Sequence, residues 1–263
     1  MFLHPFGALG CFIYTNRISW ACKVQMTDTF LTARWENLVM ANYAVSPDLL
    51  LPYLPAGVEL DLFGGEAYVS LVGFMFNRTR LFSVPIPFFG SFEEINLRFY
   101  VKRVGDNTVK RGVVFINETV PYKPVAWLAN KLYKEHYTAV PTSNEISIHE
   151  NLKTIQYGWM VNKTWKYMHV QASCHSREMP AGSLEEFIFE HYYGYTKINH
   201  SRSQEYEIKH PRWLVNDVLD YTIDCDFSAM YGEYFGCLNN QQPASVILAE
   251  GSPVSVKWKR QPF

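Results

Sequence analysis

Hydrophobic and polar positions alternate along most of this chain with the two-residue period of half-buried strands, not the 3.6-residue period of helices. In "WENLVMANYAV" (35–45) apolar and aromatic residues crowd together as in a buried strand. "VELDLFGGEAYVSLVGFMF" reads as two strands around a Gly64-Gly65 turn. "FEEINLRFYVKRV" and "VKRGVVFINETV" predict a second hairpin across Gly105-Asp106-Asn107. "ISIHENLKTIQYGWMVNKTWKYMHVQASCH" continues as strand with Gly158 near a turn, and "YGYTKI", "SQEYEIKH" and "ASVILAEGSPVSVKWKRQ" add more.

Helix signals are few and short. Ser46 and Pro47 have the chemistry of an N-cap and a first helical residue, but Pro52, Pro55 and Gly57 soon end what they start. The longest helix is expected over roughly 123–135. "SLEEFIFEHY" begins with a capping box, Ser183 and Glu186, and "DCDFSAMYGEYF" predicts a small helix. The two prolines of "RLFSVPIPFFGS" predict a hydrophobic loop. There is no βαβ rhythm and no repeat. The expected class is mainly β with minor α: a single antiparallel barrel or sandwich-like domain carrying a few short helices.

Composition narrows the partners. Of 263 residues, 48% are hydrophobic and only 19% charged, ample for one large core. A net charge of −1 without a basic cluster argues against nucleic acid or a membrane surface as partner. Five cysteines, an odd number with no CxxC pair, fit a cytoplasmic setting. Residues 1–25 are apolar but lack a basic n-region and are broken by Pro5, Gly7 and Gly10. They are expected to be a non-native or poorly ordered extension, with Met26 as the natural start and 26–263 as the domain. Neither the histidines nor the cysteines show metal-ligand spacing, and no nucleophile elbow, P-loop or dinucleotide fingerprint occurs. No metal or cofactor is expected, and homo-oligomerisation stays open.

The most informative polar residues sit in "FEEINLRFYV". Glu94, Asn96, Arg98 and Tyr100 share one face of the strand, while Ile95, Leu97, Phe99 and Val101 make the other face nearly all apolar. Either the Glu-Asn-Arg row faces solvent, or it lines a barrel interior, where desolvation would shift its pKa values and suit it to an acid or a proton transfer. Glu118 on the next strand extends the row, and Arg34-Trp35 brings charge beside a large ring on the first strand.

Several blocks together resemble the DUF2071 or YqjF-like family of uncharacterised bacterial proteins: the stretch from Trp35 to Phe76, "FEEINLRFYVK", "RGVVFINE", "FIFEHYYGYT" and "IKHPRW". That family looks like a distant branch of the acetoacetate decarboxylase superfamily, which implies a cone-like antiparallel β-barrel around a pocket. In the decarboxylases a neutral lysine, from an adjacent Lys-Lys pair just after a proline, forms a Schiff base with a β-keto acid. Here Pro141 is followed by Thr142-Ser143, so the pair is missing. Lys131 and Lys134 lie earlier on the expected helix, where solvated side chains are the plainer reading. The resemblance also matches Glu94 to a glutamate that faces the decarboxylase pocket.

The first expectation is therefore an internal pocket for a small organic ligand, carboxylate or keto, without the decarboxylase lysine pair. Glu94 would be the acid/base, and Asn96, Arg98, Tyr100, Glu118, Arg34, Trp35, Trp127 and Thr142 the ligand contacts. One alternative is a decarboxylase-type lyase using Lys131 or Lys134. The other is a non-catalytic sensing or scaffold protein whose polar row faces solvent.

Overall fold

The computed structural model describes residues 29–105, 108–257 and 261–263; the expected N-terminal extension and Met26 lie outside them. Strands β1 (Thr29–Val45), β2 (Glu59–Leu60), β3 (Ala67–Leu81), β4 (Val84–Pro85), β5 (Phe92–Val104) and β6 (Val109–Val120) precede the longest helix, α1 (Lys123–Tyr133). Then come β7 (Tyr137–Ala139), β8 (Thr142–His149), β9 (Leu152–Val161), β10 (Thr164–Arg177) and helix α2 (Leu184–Phe189). The chain ends with β11 (Tyr193–Lys197), β12 (Ser203–Lys209), β13 (Val215–Asp224), α3 (Phe227–Tyr231), β14 (Ser245–Lys257) and β15 (Gln261–Pro262).

The strands form one sheet that curls into a ring. Neighbours run β12-β11-β6-β5-β3-β1-β14, and β12 pairs back onto β14 at Ile208↔Val256 and Lys209↔Ser255. Closure removes the exposed edges that an open sheet would present. Most pairings are antiparallel, but β11 and the short β7 both run parallel to β6. The other end of β14 pairs with β13 and leads out through β10 and β9 to β8. This arm folds over the outside of the ring.

Two apolar layers result. Val39, Ala41, Leu71, Ile95, Leu97 and Phe99 point outward and pack under Tyr157, Trp159, Met168 and Val170 of the arm. Leu38, Met40, Val72, Phe74, Phe92 and Phe115 point inward. Because successive strand residues face opposite sides, one run such as Leu71-Val72 serves both layers. The arm lies so close that a Cβ on Gly73 would meet Met168 Sδ at 2.6 Å and Tyr157 at 2.7 Å.

Local expectations are met with three corrections. Gly64 and Gly65 make a tight turn at positive φ, 61° and 89°, but only Phe63 and Glu66 bridge across it; β2 pairs with β5 instead. Gly158 lies within β9 opposite Ser143, and the arm turns at Glu150-Asn151 and Asn162-Lys163 instead. The Pro47 segment is a pair of 3-10 turns, begun by Ser46 accepting from the Asp48 amide. Ser183 caps α2 as expected by accepting from Glu186 N, while the Glu186 carboxylate takes the Gly182 amide at 2.6 Å.

Candidate functional site

The inward face of β5 carries Glu94, Asn96 and Arg98 into the ring, and they line a cavity of about 80 Å3. Its floor is aromatic: the Trp35 indole meets Phe74 edge-on at 5.3 Å and Phe76 at 5.7 Å. Glu118 joins from β6 because of a bulge. Asn96 stands opposite Glu118 and Arg98 opposite Phe115, with the register shift between them. Strict alternation from Phe115 would turn Glu118 outward; the extra residue turns it back in.

The segment after α1 supplies two more groups. Lys134 closes the helix in the left-handed conformation (φ 60°), and the chain reverses so that Glu135 and Tyr137 line the cavity. Asn130 fixes this turn by holding both backbone groups of one residue. Its amide donates to Tyr137 O at 2.9 Å, and its oxygen accepts from Tyr137 N at 2.6 Å. Across the cavity, Tyr206 on β12 donates to Glu135 at 3.1 Å, as does Thr196 at 2.6 Å.

Burial sets the electrostatics. Glu94 is 3% exposed and accepts from Asn96 at 3.0 Å and from the Tyr137 hydroxyl at 3.3 Å. Desolvation pushes its pKa up to about 7, against the pull of those two donors and of the Arg98 charge. Glu118 is raised well above the usual carboxylate range by burial first, then by the nearby charges of Glu94 and Glu135. The Tyr137 phenol is likewise held protonated by burial and by both acids. The cavity therefore holds one carboxyl near its midpoint at neutral pH and a second that burial and its neighbours also push toward the protonated form.

Arg98 is the cation of this space. Its guanidinium approaches Met40 Sδ at 3.8 Å and the Tyr100 ring at 5.8 Å, and among the described residues no carboxylate lies within ion-pair distance. Buried polar atoms without a hydrogen-bond partner gather here too: Arg98 Nε, Asn96 Oδ1, Glu118 Oε2 and Trp35 Nε1. Such atoms are costly unless something in the cavity meets them. Among the described residues no three His, Cys, Asp or Glu side chains are placed to hold a metal ion.

Other expected site residues stand elsewhere. Arg34 bonds Glu36 at 2.8 Å with its side chain 39% exposed, because β1 turns that position away from the ring. Trp127 is 62% exposed, and the Lys131 ammonium lies over its ring at 4.8 Å on the solvent side of α1. Lys134 is exposed as the helix cap, and no described residue lining the cavity is a lysine. Thr142 donates to Glu93, on the outward face of β5, so it belongs to the layer between ring and arm. Tyr100 faces inward but is committed to Ser70 Oγ at 2.5 Å and packs on His191 at 4.8 Å. Glu135, Tyr137 and Tyr206 join the site from outside the expected set; the Glu-His-Tyr run just past the helix is the sequence signal for the first two.

The profile of the DUF2071 family, described as an uncharacterized conserved protein, matches residues 32–253. The uncharacterized protein YqjF of Bacillus subtilis (strain 168) is 26% identical over 192 residues, 70% of this chain and 74% of that protein. Among solved structures, an acetoacetate decarboxylase-like enzyme from Sphingomonas wittichii RW1 superposes with a TM-score of 0.61 at 11% identity, covering 90% of this chain and 94% of that one. The enduracididine biosynthesis enzyme MppR complexed with pyruvate gives 0.60 at 12% identity, covering 97% and 98%. Acetoacetate decarboxylase from Legionella pneumophila gives 0.59 at 10% identity, covering 89% and 87%. At these identities the likeness establishes the decarboxylase-like fold.

Proposed function

The chain belongs to the DUF2071 family, and from that premise we propose that it is a small-molecule-binding barrel whose cavity takes an organic acid or keto compound. One observation carries this reading: a half-buried arginine, without a carboxylate partner among the described residues, lines the same cavity as a carboxyl group poised near pH 7. Arg98 holds a carboxylate or enolate oxygen, as guanidinium groups do when desolvated. Asn96 and the Trp35 indole supply further polar contacts. Where chemistry follows binding, Glu94 is the acid/base, since a group half-protonated at the working pH both accepts and returns a proton well. Tyr137 and Glu118, whose carboxyl burial favours in the protonated form, are donors to an oxygen that gains charge.

Two observations separate this from a lysine-based lyase and from a scaffold. The helix lysines are exposed, and the Glu-Asn-Arg row faces inward. Among the described residues no helix is long and apolar enough to cross a membrane. A cytoplasmic site of action is part of the proposal, suggested by cysteine usage; Cys174, Cys225 and Cys237 are free thiols.

Calorimetric titration with pyruvate, the ligand of the MppR structure, and other small oxo and carboxylic acids tests the proposal. Saturable binding is expected, weakened on the order of thirtyfold or more by Arg98→Met, the usual scale for removing one side of a buried charge pair. Equal affinity in the folded variant would remove Arg98 from the site.

A further inference from the structure

A second space of about 160 Å3, twice the volume of the acid cavity, adjoins it. One side of α1 roofs it with Pro124, Val125, Leu128 and Leu132, a stripe at helical spacing, while Phe89 and Phe92 close it from the β3–β5 connection and from β5. From Pro124 to Leu132 the stripe is about 12 Å long. Val125 also packs against the inner core, and among the described residues the rest of the stripe borders this space. Apart from Thr79, the polar residues lining it are Glu94 and Tyr137, and both also line the acid cavity, as do Leu31 and Phe76.

The groups therefore fall in an order. Arg98 lines only the first space, Glu94 and Tyr137 stand at the junction, and beyond them the lining is apolar. Glu94 and Arg98 reach into one cavity from the same face of a strand, so a carboxylate and a neighbouring oxo group can meet both. We propose that the ligand is an amphipathic oxo acid. Its carboxylate lies at Arg98, its oxo group lies between Glu94 and Tyr137, and its alkyl tail runs under α1. This deepens the proposal above and rests on it, since it needs the acid cavity to be the head-group site. It excludes a short keto acid as the preferred ligand, because that would leave the second space empty.

The test is titration of the full chain with straight-chain α-oxo acids, from pyruvate to α-oxodecanoate, with decanol as a tail lacking the head. Affinity is expected to rise about fourfold per added methylene until the space is filled, the factor for burying one such group. Decanol should bind far more weakly than the acid of equal length. Ala129→Phe, which fills the space from α1, should flatten the chain-length series and leave pyruvate binding unchanged. Leu128→Trp should flatten the chain-length series likewise in case Ala129→Phe unfolds, and thermal melts report folding. Equal affinity across the series would overturn the tail site while sparing the acid cavity. Absence of binding by every acid would overturn the underlying reading, and decanol matching the acid would remove the head group from the assignment.

Discussion

Glu93 and Glu94 are neighbours on β5, nearly equally buried at 6% and 3% exposure, yet they live in different chemical worlds. Glu93 points outward into the layer between ring and arm, where Thr142 donates to one oxygen and Asn144 to the other at 2.9 Å. Glu94 points inward, and desolvation outweighs its two donors and lifts it to about 7. Burial alone does not decide what a carboxyl group does. The difference lies in what surrounds it: donors from the arm stitch one carboxylate into a structural layer, while the other shares a cavity with two more acids and a cation.

This comparison can be broken. Glu94 keeps its proton to about pH 7 in the folded protein, against about 4.5 for an ordinary glutamate. Its contribution to stability is full below the lower value, declines as pH rises through that window, and is gone above it. Glu94→Gln should therefore flatten the fall of melting temperature between those limits, an effect on the order of a few kcal/mol, while abolishing any rate dependence on the same group. A melting profile that keeps its slope would place the titrating group elsewhere.

Glu93→Ala should do the reverse. Losing two hydrogen bonds in a packed layer costs about 1–3 kcal/mol, seen as a drop of roughly 2–4 °C per kcal/mol in a chain of this size, with acid binding preserved. Weakened binding with unaltered stability would exchange the roles of the two glutamates. Asn130→Ala releases Tyr137 and should cost about 1 kcal/mol, with a measurable loss of affinity for oxo acids. The smallest effect belongs to Lys131→Ala and Lys134→Ala. Stability should stay within about 0.5 kcal/mol and ligand affinity should not move, and borohydride with a keto acid should leave no adduct on either lysine.

Much of the fold is legible from local pattern. Alternation in "FEEINLRFYV" separates two faces correctly because β5 is regular over that stretch. β13 went unread because solvent-facing Asp217 and Asp220 interrupt its apolar positions and only its start is buried. The site is less legible, since its parts meet only through topology. Glu118 needs a bulge to face inward, Tyr137 arrives on a short strand parallel to β6, and Tyr206 comes from beside the ring closure. The stretch "WLANKLYKEHYTAVPTSN" draws attention to its lysines, but helix geometry sends Lys131 outward and the left-handed cap sends Glu135 and Tyr137 in.

Asn130 gives this arrangement a mechanical side. Its backbone belongs to the helix that roofs the apolar space, while its amide grips the residue bearing the phenol of the acid cavity. The Tyr137 hydroxyl in turn donates to Glu94 and lowers its affinity for a proton. The roof of the apolar compartment and the acid of the polar one are thus tied by a chain of two side chains, a linkage as well as a shared boundary.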